Sequence, residues 1–330
     1  MDRARSRAPV LGSGLALGLA LVAGAAALAA GASGPPIRAM RWAPRDADPV
    51  ATFGRAPTEC LKPTNDPAQA LKVELGRAAF RTPLLLGGQA ARAGLACETC
   101  HKAGRRNPNF VFPGVSGTPG TADVTSSLFS THRGDGVDNP RPIADLSAAK
   151  TVLKVDQDPK TGRLEYFVHG QITEEFDGSE PPKAVLEGVA AYIRQLSPEA
   201  CPAAATEPVT VGYFLSDARR AVQAARGEAA LGDAPAAILA LGAARSRLGL
   251  VDERFAGPTL AAQRAQVRAA DRRLAGAQDA LRAHRPDVAG SLDSWLKDSA
   301  DLEARLAAKA PLSLFDPARL SQAARRRLPG

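Results

Sequence analysis

Aromatic residues make up only 5% of this 330-residue chain. That scarcity argues against a β-sandwich or barrel, whose strands draw on aromatic and β-branched side chains. Methionine is scarcer still: Met1 and Met40 are the only two, so thioether metal ligands are few. Four cysteines and four histidines leave no second Cys-x-x-Cys and no His-x-x-x-His, which removes the usual donor set of a structural zinc site. No βαβ pattern surrounds the single Cys-x-x-Cys, which argues against a thioredoxin-type dithiol. Disorder is also excluded, because 45% of the residues are hydrophobic and only 23% are charged.

The formal charge is +8, and Arg3, Arg5 and Arg7 against Asp2 place +2 of it in the first 32 residues, leaving +6 for the rest. Modest basicity suits an acidic protein partner or an anionic membrane surface. No nucleic-acid motif accompanies it, and an ordinary solvated surface accounts for the charge equally well.

The abundant alanine and leucine favour helices. Residues 1–32 read as a signal peptide or membrane anchor: a basic stretch, Met1 to Arg7, precedes an apolar run from Val10 to Ala32 that contains Ala30-Gly31-Ala32, a form suited to a signal peptidase. Either reading delivers the remainder to the periplasm. Residues 33–65, rich in Pro, Arg and Asp, read as an extended arm. Asp66-Pro67 opens a helix with Leu71, Leu75 and Ala79 on one face. Residues 102–145 are loop-like. A second helix is expected from Pro182 to Leu196, with Val185, Val189, Tyr192 and Leu196 as its apolar stripe. Past Pro202 the chain turns Ala/Arg/Leu-rich. Helices are expected from Ser216 to Leu231, from the Gly232–Pro235 turn to Leu250, from near Pro258 with Leu260, Val267, Leu274 and Leu281 in step, and from near Pro286 with a stripe broken only by Ser299. The expected fold class is all-α: a cytochrome c-like domain at 66–201, then an antiparallel helical bundle or hairpin stack at 202–330.

The chemistry is carried by Cys97-Glu98-Thr99-Cys100-His101. Cys-x-x-Cys-His is the signature of covalent haem attachment. Two thiols three residues apart can each add to one haem vinyl group, and the adjacent imidazole supplies the proximal iron nitrogen. With so few Cys and His, chance yields the pattern about 0.0006 times in a chain of this length. Cys97, Cys100 and His101 are therefore the expected haem c (iron) ligands, and export fits, since such attachment occurs outside the bacterial cytoplasm. Cys60 and Cys201 flank this region in an oxidising compartment and are expected to pair.

The surrounding sequence resembles the bacterial dihaem cytochrome c peroxidase superfamily over roughly residues 66–197. Leu75-Gly76-Arg77-Ala78-Ala79-Phe80, Pro83-Leu84 and then the haem motif follow its pattern "LGxxLFxDPxLS…CxxCH". Asn139-Pro140-Arg141-Pro142-Ile143 resembles its "RNxPxL" turn, and Phe167-Val168-His169-Gly170 its "YMHDG" stretch. The chain departs from the family in two ways. It has one haem motif, so a relay between two haems cannot operate within it. Val168 also stands where the family has a ligating Met.

The sixth iron ligand stays open between His132, whose position resembles that of the family's distal His, His169, Met40, and an unligated or water-bound iron. His284 reads as a loop residue at a polar helix end. Lys102, Arg105, Arg106 and Arg133 either ring the haem edge and steer an acidic redox partner or form a solvated loop. Three functions follow. The first is an electron carrier serving a periplasmic or membrane redox protein. The second is a peroxidase-like enzyme using His132, Glu174 or Glu175 as acid–base group. The third is a gas or redox sensor. The C-terminal helices carry no catalytic motif, which suits a docking role for a protein partner.

Overall fold

The computed structural model describes residues 35–325; the expected signal peptide or anchor and the end of the basic tail, Arg326 and Arg327, lie outside the described residues. The described chain is predominantly helical with two pairs of very short strands, so the all-α class holds.

The arm is not extended. A 3-10 turn, Arg38–Trp42, leads to helix α1 (Pro49–Phe53) and strand β1 (Arg55–Pro57). The Asp48 carboxylate caps α1 by accepting from the Val50 and Ala51 N–H groups. The fold-back has an apolar cause: Ile37 and Ala56 are buried, and Trp42 stacks on Phe112 with ring centroids 4.4 Å apart.

Helix α2 (Pro67–Phe80) begins as the sequence predicts, with the Asp66 side chain accepting from Ala68 N–H. Two short helices follow, α3 (Gly88–Arg92) and α4 (Cys97–Cys100). The loop region then forms only the antiparallel pair β2 (Thr121–Ala122) and β3 (Arg141–Pro142). Helix α5 (Arg163–Gly170) runs into a π-helical turn, Gln171–Glu175, and α6 (Lys183–Gln195) closes the segment. Val185, Val189, Tyr192 and Leu196 are all buried, as their spacing implies. Helices α2 and α6 cross at glycines: a Cβ on Gly76 would lie 1.8 Å from the Gly188 carbonyl oxygen. Strand β4 (Thr206–Pro208) returns to pair with β1, Arg55 opposite Pro208. Cys60 and Cys201 are joined by a disulfide.

The C-terminal helices are α7 (Val211–Ala230), α8 (Ala234–Arg254), α9 (Ala261–Arg282), α10 (Val288–Ala307) and the short α11 (Pro317–Arg325). Helix α7 starts five residues earlier than its periodicity suggests, because the Thr210 hydroxyl caps it through Tyr213 N–H and Val211, Phe214 and Leu215 bury. Helices α7 to α10 each pack on the next, and α10 returns to α7, a closed ring with short connections. The expected stripes are its core; Ser299 joins them by donating its hydroxyl to the Leu296 carbonyl. Helix α8 has the length and apolar composition of a membrane span but is one of the ring's four helices, with over half of its apolar stretch buried.

From Pro36 onward the chain is one compact unit. One apolar cluster runs from Ala56 through α2 and α6 to Leu306, so the segment around Cys97–His101 and the helical ring share a core. A smaller cluster, built on Phe110, Phe112, Phe129 and Ile143, stands apart from it.

Candidate functional site

Cys97 and Cys100 sit three residues apart on the single turn of α4, which places both on one side of the helix. The turn is fixed at both ends. Thr99 Oγ1 accepts from Ala96 N–H at 2.9 Å, and Asn107 Nδ2 donates to the Thr99 carbonyl at 2.8 Å. After His101 the chain reverses through left-handed Ala103 and Gly104. Only glycine fits at 104, because a Cβ there would meet Leu196 Cδ1 at 2.4 Å.

Both thiols and the His101 ring line a cavity of about 340 Å³. Its walls come from both apolar clusters: Phe80, Val168, Ile172 and Val189 from the larger, Leu86, Phe110, Phe129 and Ile143 from the smaller. Cys97 packs against the first cluster and Cys100 against the second. The gap between the two cores is thus an apolar slot with the motif on its wall. Cys97, Cys100 and His101 are deeply placed yet keep part of their surface open, and the cavity is what they open onto.

The imidazole is oriented. His101 Nδ1 lies 2.9 Å from the Ala144 carbonyl. That acceptor fixes the proton on Nδ1 and leaves the Nε2 lone pair free. Ala144 follows the Asn139–Ile143 turn singled out in the sequence, so that turn supplies the orienting group. Burial lowers the His101 pKa, opposed by the Ala144 contact and Asp145, and keeps the ring neutral. Burial pushes both thiols up to about 12, for Cys100 with help from the neighbouring Cys97 charge. They are thiols at neutral pH, the form that adds to a vinyl group. The polar wall residues are Arg141, Lys154, Gln157 and Gln171. Gln157 donates to the Val155 carbonyl, while its Oε1 is buried without a partner.

None of the sixth-ligand candidates lines this cavity. The His132 ring is 64% exposed and 3.9 Å from Asp177, in a loop held by Ser130 donating to the Glu174 carbonyl and by Thr131 on Asp177. His169 pairs with Glu180 at 2.7 Å. Glu174 and Glu175 are both engaged by Arg133. Met40 stands in the Arg38–Trp42 turn. Val168, where the resemblance places a Met, does line the cavity. Among the described residues no cluster of three His, Cys, Asp or Glu side chains is arranged around a metal ion. A tetrahedral zinc site on this motif would lack a fourth ligand, whereas a covalent porphyrin asks only for the two thiols and one imidazole.

Behind the motif, Glu98 points the other way, into a buried ion network that sequence reasoning missed. It pairs with Arg247 of α8 and with Arg81, the residue that caps the end of α2. Arg81 and Arg77 share Asp217 of α7 at 2.5 and 2.7 Å, and both also hold Glu59. Lys102 Nζ donates to the Thr52 and Arg55 carbonyls, tying the arm to the motif. The sequence offered no signal for these partners, since they lie up to 149 residues apart.

Compared with protein-family models, curated proteins and solved structures, the chain matches none.

Proposed function

We propose that this protein is an exported monohaem c-type cytochrome acting in electron transfer. The observation that carries the proposal is the convergence of Cys97 Sγ, Cys100 Sγ and the oriented His101 ring on one apolar cavity set between two hydrophobic clusters. Cys97 and Cys100 would hold the porphyrin through thioethers and His101 Nε2 would hold the iron. When bound, the haem supplies a one-electron iron couple. The residues around it do the rest. The Phe80, Phe110, Phe129 and Ile172 side chains exclude water, burial keeps the imidazole neutral, and the Ala144 carbonyl orients it and strengthens it as a donor. The Arg77–Arg81–Arg247 network holds α4 from behind. The expected setting is the periplasm, with an acidic redox protein as partner for the basic surface.

The test is expression in a host competent for c-type maturation, then acid–acetone extraction. Pigment that stays on the polypeptide, and is lost from the Cys97→Ala/Cys100→Ala variant, supports the proposal; pigment wholly extracted, or none, ends it. A second reading, a peroxidase-like enzyme or gas sensor, rests on the cavity walls, which among the described residues carry no second His and no Met. Stopped-flow mixing of the reduced protein with carbon monoxide and with peroxide separates them. Inertness to both supports the carrier, peroxide turnover the enzyme, and tight gas binding alone the sensor.

A further inference from the structure

A second cavity, of about 200 Å³, lies on the opposite side of the haem motif. Ala96 borders both cavities. Its walls are the arm (Ile37, Trp42, Phe53), the motif (Glu98, Thr99, Lys102) and the helical ring (Phe214, Leu250, Arg254). Nothing in the proposed electron-transfer role uses it.

The charges around it do not balance. Arg38 is paired with Glu253 at 3.0 Å. Arg77, Arg81, Arg220 and Arg247 are matched by Glu59, Glu74, Glu98 and Asp217, four acids for four guanidiniums. Two wall cations are left over. Arg254, only 4% exposed, donates to the Leu314 and Phe53 carbonyls. Lys102 donates to the Thr52 and Arg55 carbonyls. Among the described residues neither has a carboxylate within 4.0 Å. Arg254 is buried with its guanidinium over the Phe214 and Phe315 rings, and Lys102 is half-buried; cations so placed are normally paired with an acid, and these two border the same space. Apolar and aromatic side chains make up much of the remaining wall, joined by the Asn107 and Asn109 amides and by the Glu98 and Glu253 carboxylates, each already held by an arginine; the volume, well below that of a drug-sized pocket, admits a body of about ten non-hydrogen atoms.

We propose that this cavity binds a small organic carboxylate, its charge between Arg254 and Lys102 and its apolar body against Trp42, Phe53 and Phe214. Inorganic anions match the charge but leave the aromatic walls unfilled. A carboxylate also accepts from a guanidinium in the planar, two-toothed geometry that Arg favours. The site is independent of whether haem is attached.

The test is isothermal titration calorimetry on the full mature chain with benzoate as probe, and with benzyl alcohol and inorganic phosphate as comparators. Benzoate is expected to bind with a Kd below about 1 mM at low salt, and both comparators at least about tenfold more weakly. Leu250→Trp fills the cavity without changing charge and is expected to abolish binding. Arg254→Gln is expected to weaken it about tenfold or more. Because Arg254 is buried, Leu250→Trp, at a half-open wall position, keeps the test decisive if Arg254→Gln does not fold. Absence of benzoate binding, equal binding of benzyl alcohol or phosphate, or full binding by Leu250→Trp would overturn the proposal.

Discussion

Replacing Glu59 with glutamine removes one negative charge from the middle of the buried arginine cluster while keeping the shape of the side chain. Glu59 accepts from Arg77 Nε at 2.8 Å, from Arg81 at 2.8 Å and from the Tyr192 hydroxyl at 2.6 Å, with its side chain only 12% exposed. Burial by itself would raise its pKa; Arg81, Arg77, the Tyr192 hydroxyl and Arg220 outweigh that and hold it down, from 4.5 to about 2. A depressed carboxylate stabilises the fold above its unfolded pKa and loses that contribution as pH falls through the folded value. The drop from 4.5 to about 2 corresponds to about 3 kcal/mol, present at neutral pH and lost progressively between pH 4.5 and pH 2. Glu59→Gln should therefore lose about 3 kcal/mol at pH 7, and its stability should fall less steeply on acidification than that of the parent. Urea denaturation followed by circular dichroism from pH 7 to pH 3, with the disulfide oxidised, measures both. A variant within about 0.5 kcal/mol of the parent at pH 7, or with an unchanged acid limb, would refute the electrostatic reasoning.

Three further outcomes are expected. Gly76→Ala forces its Cβ to within 1.8 Å of the Gly188 carbonyl oxygen, backbone against backbone; α2 and α6 must part, at about 3 kcal/mol or more, and an unchanged melting temperature would show that the crossing is looser. The Cys60–Cys201 bridge closes a separation of 141 residues, so in the chain-entropy model the paired serine variant should lose about 5 kcal/mol in urea titration; an unaltered midpoint would count against this. His132→Ala, at a ring 64% exposed and off the cavity wall, should leave the optical spectrum of the haem-loaded protein unchanged; a shift from low to high spin would make His132 a ligand after all.

Several elements were legible because their causes are local. Asp66-Pro67 starts α2 through a cap two residues away, and the stripes Val185–Leu196 and Leu260–Leu281 bury because helical spacing puts them on one face. The early start of α7, the short helix of the arm and α11 escaped, since each depends on burial against distant segments rather than on its own periodicity. The pairing of Cys60 with Cys201 was expected from compartment and position. The place of His132 was not recoverable, because a likeness of spacing says nothing about which way a loop side chain turns.

Sequence alone determined the helical class, the closeness of two thiols and an imidazole in the Cys97–His101 turn and the stripes of the C-terminal helices, all set by neighbours within one or two turns of chain. Tertiary structure decided everything that needs two distant segments to meet. It opened an apolar cavity between two cores, aimed His101 through the Ala144 carbonyl, and bound Glu98 to Arg247 of a helix whose role the sequence left blank. Long-range contacts of this kind follow from packing and from the pairing of buried charge, neither of which leaves a periodic trace in the order of residues.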